Sequence, residues 1–305
     1  MSCATKSRRQ VVRTIQLCAD EGVCITGVCV QLMEERQMKM RRPAVAGSFY
    51  PGDKTELKET IEEFIEPGQK RTKALGIISP HAGYIYSGKG AGIVFSRVEI
   101  PEDVIVLAPN HRGIGADVAI WPEGKWSTPL GEVEVNSELV SLISAETDLV
   151  ETDESAHKYE HSLEVQLPFI QYFKPDFKLV PLCLLRMSYE QCEELGKAIA
   201  RAVKKWDKPG LIVASSDMSH YIPAEIAKRQ DKLALDKVLQ LDPQGLFNTV
   251  HKHNISMCGF IPATVMLVSA KELGAERAEL VDYRNSGDVT GDYREVVAYA
   301  AVMVK

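Results

Sequence analysis

Short apolar runs alternate with amphipathic stretches along the chain from about Arg41 to its end. The runs Leu75 to Ile78, Val104 to Ala108, Leu179 to Leu185, Leu211 to Ala214 and Val296 to Val304 lack the in-out alternation of a half-exposed strand, so they predict strands buried on both faces. Helical periodicity lies between them, at Lys54 to Ile65, Gly88 to Arg97, Glu138 to Ser144, Ser162 to Phe173, Tyr189 to Lys205 and Ala224 to Leu241. Pro67 and Gly68 end the first of these. Strands that alternate with helices predict an α/β fold: a mostly parallel central sheet with helices on both faces. No internal repeat or low-complexity tract interrupts the pattern.

The first 40 residues differ in character. They hold Cys3, Cys18, Cys24 and Cys29 of the seven cysteines, a basic cluster at Lys6, Arg8 and Arg9, and one short helical stretch at Gln10 to Asp20. They are expected to be an extension, residues 1–40, ahead of a single domain spanning residues 41–305, with Met38 or Met40 as plausible starts. The apolar stretch Gly22 to Met33 follows Asp20 and Glu21 and has no small-residue cleavage site, so it does not read as a secretory signal. No run is long enough to span a membrane. An odd cysteine count without paired spacing argues against a disulfide framework and for a reducing, cytoplasmic setting. A net charge of −6 and the absence of an arginine-rich stripe exclude a general nucleic-acid binder.

The candidate chemistry sits where strands stop. Three apolar runs, ending at Ile78, Ala108 and Ala214, lead directly into Ser79-Pro-His81, Pro109-Asn-His111 and Ser215-Ser-Asp217-Met-Ser-His220. Open α/β sheets bind ligands outside the carboxyl ends of their strands, so these clusters are expected to meet at one sheet edge. Two histidines at equivalent strand ends suit a shared metal ion, although His81 alone reads equally well as a turn residue that Gly83 frees by its backbone latitude. Asp217 suits the orientation of a histidine and His220 a general base or further ligand; Asp217 or Ser219 also suits the N-cap of the helix after Pro223. Cys258, ahead of an apolar helix, reads as a low-pKa thiolate ligand or nucleophile, or else as a small buried hydrophobe. Glu160 and His161 open another helical stretch, with His161 facing the pocket, while His157, His251 and His253 are expected in solvent. Gly88-Lys-Gly-Ala-Gly92 matches no phosphate loop, and its small residues are expected to let a helix pack closely on the sheet. GxSxG is absent, which removes a serine esterase of the α/β-hydrolase type.

Arg42-Pro-Ala-Val-Ala-Gly-Ser-Phe-Tyr-Pro51, Pro80-His-Ala-Gly-Tyr84, Pro109-Asn-His111, Glu160-His-Ser-Leu-Glu164, Ser216-Asp217 with His220, and Cys258-Gly259 together resemble the Memo family signature, in family order over nearly the whole chain. That resemblance implies a fold similar to the LigB-like class III extradiol dioxygenases, which use non-heme iron. It implies that His81, His111 and Cys258 are metal ligands and that Asp217 and His220 line the same pocket, with His220 in the place of the dioxygenase base. Glu160, His161, Asn110 and Phe49 are expected to line the pocket as well. Cys258 stands where the dioxygenases complete two histidines with a carboxylate. Iron is the implied cofactor, with copper and zinc as further fits to two imidazoles and a thiolate. The implied function is a metal-pocket redox protein acting on a small molecule; a peptide- or metal-binding module without turnover and a cysteine hydrolase using Cys258 and His220 are the alternatives. Eukaryotic Memo proteins are linked to phosphotyrosine peptides and carry Trp where this chain has Phe49. Neither a nucleic acid nor a membrane is an expected partner, and the oligomeric state is not read from the sequence.

Overall fold

Five strands that the apolar runs announce form the middle of the molecule. The computed structural model describes residues 39–305, so the expectations for the first 38 residues lie outside the described residues. In chain order the elements are β1 (Met40–Arg41), α1 (Lys54–Phe64), β2 (Gly76–Ser79), α2 (Tyr84–Arg97), β3 (Asp103–Pro109), β4 (Val118–Ile120), β5 (Lys125–Thr128), β6 (Gly131–Val135), α3 (Ser137–Glu146) and β7 (Glu151–Thr152). They continue as α4 (Ser155–Lys158), α5 (Leu167–Phe173), β8 (Lys178–Leu184), α6 (Tyr189–Trp206), β9 (Gly210–Ser215), β10 (His220–Ile222), α7 (Ala224–Leu239) and α8 (Pro243–His253). The last are α9 (Phe260–Glu272), β11 (Ala278–Asn285), α10 (Gly287–Thr290) and β12 (Val296–Val304).

The sheet order is β1-β5-β6-β8-β3-β9-β2-β12-β10, with β11 on β12 and β4 on β8. From β6 to β2 every pairing is parallel. On the flanks β5 is antiparallel to β6 and β12 is antiparallel to β2, β10 and β11, while the outermost β1 is parallel to β5. The sheet is therefore parallel at its centre and mixed at its margins. Apolar runs alone do not encode strand direction, which is why the margins differ from the expected pattern.

Helices lie on both faces. Helix α9 packs on β9, β3 and β2 and is backed by α6, which carries α3. Burial on several sides explains why α9 is apolar nearly all round. Helix α6 is amphipathic instead, burying Cys192, Leu195, Ile199 and Ala202, and a capping box of Ser188 and Gln191 starts it. Helix α2 packs on β11, β12 and β2, with α1 and α5 against it. Gly88 and Gly92 do permit a close approach, but a Cβ at either would run into Phe64 of α1, so the close partner is a helix rather than the sheet.

His157, expected in solvent, is buried between the Trp121 and Trp126 rings and hydrogen-bonds the Ala119 carbonyl through Nε2 at 3.2 Å. Burial, reinforced by the nearby Arg41 charge, pulls its pKa down to about 3. The folded chain thus keeps His157 neutral where the unfolded chain protonates it, near pH 6.5. As pH falls from about 6.5 toward 3 the unfolded state binds one more proton at this site, and stability drops by about 1.4 kcal/mol per pH unit from this group. His157→Gln, whose amide can still donate to Ala119, is expected to flatten the acid side of the stability curve by that slope in urea titrations at pH 6.5 and 5. Parallel curves for the two proteins would contradict this.

Candidate metal site

Strand β2 delivers His81 just past its carboxyl end, where the backbone N–H of His81 donates to Asp217 Oδ1 at 2.7 Å. Its ring Nδ1 lies 2.9 Å from Ser215 Oγ at the end of β9. The Ser215 hydroxyl gives its only hydrogen to the Ser162 carbonyl at 2.6 Å and accepts one from Gln166 Nε2 at 2.8 Å. With that hydrogen committed, Ser215 accepts from His81, so the proton sits on Nδ1 and the Nε2 lone pair is left as an acceptor. Burial, followed by the charges of His111 and His161, keeps this ring well below the usual histidine range and therefore neutral.

Glu160 does the equivalent for two more rings. Its Oε1 accepts from His111 Nδ1 at 2.9 Å and lies 3.2 Å from His161 Nδ1. The backbone N–H groups of His111, His161 and Ser162 also donate to this carboxylate, at 2.6, 3.0 and 3.0 Å. Burial alone would push Glu160 up, but the His111 hydrogen bond and charge and the Ser162 N–H outweigh it and hold the carboxyl down at about 2. Burial also pulls His161 down to about 4, against the opposing pull of Glu160. Both rings present Nε2 with Nδ1 engaged, the arrangement by which outer partners orient metal-binding imidazoles. Glu160→Gln keeps the shape but offers one acceptor oxygen in place of two and no charge. It is expected to weaken metal affinity by roughly 10–100-fold in a competition assay with a chromogenic chelator; unchanged affinity would show that Glu160 does not set the rings.

The three rings converge. Their centroids are 5.2 Å (His81–His111), 5.6 Å (His81–His161) and 4.8 Å (His111–His161) apart. Their donor atoms all lie within 4.8 Å of one another, and this is the one such group that could hold a metal ion among the described residues. Three imidazole donors at such spacing can draw in around one ion, with metal–nitrogen bonds of roughly 2.0–2.1 Å. Cys258 is not in that mutual group, but its Sγ lies 3.1 Å from His81 Nε2. Gly259 allows this approach, since a Cβ there would collide with Ser215 and Ser216 at the end of β9. The thiol differs from its expected character: burial, and next the Asp217 charge, push its pKa up despite the helix start that follows. Burial outweighs the helix N-terminus, and the free thiol is a proton donor to His81.

The cleft above the rings has a volume of about 740 Å³. Phe49, His81, His111, His161, Asp217 and His220 all line it. Phe49 stacks obliquely on His161 with centroids 4.6 Å apart. Asn110 is not among the lining residues; it shapes the loop that carries His111, accepting from Arg112 N and Gly113 N and donating to the Ile114 carbonyl. Glu160 is likewise absent from the cleft lining. Asp217 is buried, which raises its pKa to about 6 against the His81 N–H that lowers it. The histidine that Asp217 meets is His81, through its backbone N–H, and His220 is oriented by Ser256 instead: its Nδ1 donates to the Ser256 carbonyl at 2.9 Å, leaving Nε2 free. Neither Asp217 nor Ser219 caps the following helix, whose first flanking residue is Pro223; Ser219 instead bonds the buried Asp231. Gly83 has ordinary angles at the start of α2, so backbone latitude is not its role. His251 and His253 are exposed, as expected.

Sequence reasoning placed His161 beside the pocket without counting it among the donors, and it missed Ser215, Gln166 and Ser256 as orienting groups. The adjacency of Glu160 and His161 was a usable signal; Ser256 had none, since only the fold brings it to His220.

A parallel-centred α/β protein with a three-imidazole pocket at its strand ends is the class that fold and site define. A family model described as Memo-like protein matches residues 41–303, and the chain belongs to the Memo family. It is 46% identical over 269 residues to a MEMO1 family protein of Aquifex aeolicus, covering 87% of this chain and 99% of that one. A MEMO1 family protein of Methanosarcina barkeri is 42% identical over 268 residues, covering 87% of this chain and all of that one. Among solved structures, an uncharacterized protein JW3007 from Escherichia coli K12 superposes with a TM-score of 0.51 at 12% identity, over 76% of this chain and 100% of its own, a likeness of fold alone. Among the described residues no helix is long and apolar enough to cross a membrane, and Cys183, Cys192 and Cys258 are free thiols.

Proposed function

We propose that this is a metal-dependent redox protein acting on a small molecule that enters the cleft. His81, His111 and His161 hold the ion, and Cys258 is a sulfur donor on the His81 side. The observation that carries the reading is the set of three imidazole donor atoms within 4.8 Å of one another, with His81 Nδ1 on Ser215, His111 Nδ1 on Glu160 and His161 Nδ1 3.2 Å from the same carboxylate. Iron(II) is the preferred ion, copper the next and zinc the third, since imidazole and thiolate donors suit all of them. When bound, a redox-active ion supplies electron transfer with oxygen or a reduced oxygen species. The chain itself binds and orients: the rings are locked by their Nδ1 partners, and His220, with Nε2 free, holds or moves a proton at the cleft wall. A cysteine hydrolase is the weaker reading, because the thiol is held protonated by burial and bonds His81 rather than His220.

The test is oxygen uptake by protein prepared without air, loaded with iron(II) and offered catechol-type substrates. Uptake is expected, and His220→Ala is expected to reduce it by about 10²–10⁴-fold with metal content unchanged. Metal binding without uptake on any substrate would move the protein to a binding module, and uptake indifferent to His220→Ala would remove that residue from the reaction.

A further inference from the structure

Beyond its histidines, the cleft has a consistent chemical character. Phe49, Tyr86, Tyr221 and Tyr299 line it together with Asp217, Asp292 and Glu295, and no lysine or arginine is among the lining residues described. Arg294 pairs with Asp292 at 2.6 Å without itself lining the cleft. Glu295 is exposed and remains as a carboxylate at the rim. Aromatic faces carry negative potential, so rings and carboxylates act in the same sense: they attract an ammonium group and repel a carboxylate or phosphate.

Tyr221 stands out within this lining. It is the bulged residue of β10, between His220 and Ile222, which both pair with β12. Its φ is +56°, a conformation that bulky residues rarely adopt. It is 74% exposed, so core packing does not hold the ring. The ring lies 5.9 Å from that of His220. Bulges beside functional sites commonly re-aim a side chain, and here the bulge holds an exposed aromatic face next to the residue assigned to proton transfer.

We propose that the cleft selects a small ligand that is flat and unsaturated at one end and carries an ammonium group, with the charge held between the Tyr221 ring and Glu295. This names the substrate class of the pocket described above and rests on that reading of the cleft, but its test does not need the metal. A phosphorylated peptide would meet the same carboxylates as repulsion.

Calorimetric titration of the full chain with 2-phenylethylammonium, 2-phenylethanol and 3-phenylpropionate separates ring from charge. It is run on protein as purified and after chelation, with metal content measured on the same samples. In the chelated protein the ammonium compound is expected to bind most tightly and the carboxylate most weakly, with roughly a tenfold or greater span between them. Because the charges are partly exposed, the span is expected to shrink as salt rises. Glu295→Gln is expected to narrow it to about threefold. Tyr221→Gly, which suits the left-handed backbone, is expected to weaken the ammonium compound about fivefold. Carboxylate binding as tight as ammonium binding after chelation, a span untouched by both variants, or no binding by any of the three at millimolar concentration overturns the proposal. The same ordering in protein that carries no metal as purified and takes up none would leave this proposal standing while removing the metal reading.

Discussion

His111→Ala is expected to leave a folded protein that no longer retains its ion. His111 is the partly exposed member of the cluster, with 31% of its side chain accessible, so truncation opens no buried void. Glu160 keeps its backbone donors from His161 and Ser162, which limits the structural consequence. Loss of an outer partner already weakens metal sites by roughly 10–100-fold, so loss of a ligand itself is expected to exceed about 100-fold. His81→Ala is expected to lose the ion as well. Cys258→Ser is expected to weaken binding sharply, because a hydroxyl is a poor substitute for a thiolate. Cys183→Ser and Cys192→Ser are expected to leave affinity alone, as both thiols are buried in β8 and α6, away from the cleft. Metal affinity in His111→Ala equal to that of the parent, by chelator competition, would exclude the imidazole cluster as the binding site.

The second large effect concerns stability. Glu164 is fully buried and pairs with Arg41, and it also accepts from Ala44 N at 2.7 Å, Val45 N at 3.0 Å and the Tyr50 hydroxyl at 2.7 Å. One carboxylate therefore fastens the segment leading to Phe49, which lies on His161. Glu164→Ala strands the buried Arg41 charge and three further donors, and removing one partner of a buried pair typically costs about 3–5 kcal/mol. Urea denaturation is expected to show a loss of that size. Arg41→Met combined with Glu164→Leu removes both charges and is expected to be less destabilised than Glu164→Ala alone. A double variant that is the weaker of the two would mean that packing around the pair, rather than the stranded charge, dominates.

Much of the scaffold was readable because a continuous apolar run of few residues fits a strand buried on both faces. Val104 to Ala108, Leu211 to Ala214 and Val296 to Val304 became β3, β9 and β12 for that reason. Strand β11 was not readable: Glu279, Asp282 and Arg284 interrupt it on a partly exposed margin. Helix α8 was overlooked although Asp242 and Pro243 mark its start, Asp242 accepting from Gly245 N at 2.8 Å. Strands β4, β5 and β10 are three or four residues long, too short for a period to show. At the site, the equivalent strand-end positions of His81 and His111 were legible because parallel strands of one sheet deliver their carboxyl ends to one edge. The protonation logic was not. It depends on where Ser215 sends its hydrogen, on one carboxylate serving two rings, and on Ser256 meeting His220 across 36 residues of chain.

Elemental analysis of the full chain, purified without air and incubated with one equivalent of iron(II) before desalting, tests the central claim most directly. About one transition-metal ion per chain, retained as iron and lost in His111→Ala, is the expected result. A chain that retains no ion, or that carries only zinc and takes up no iron, contradicts the account.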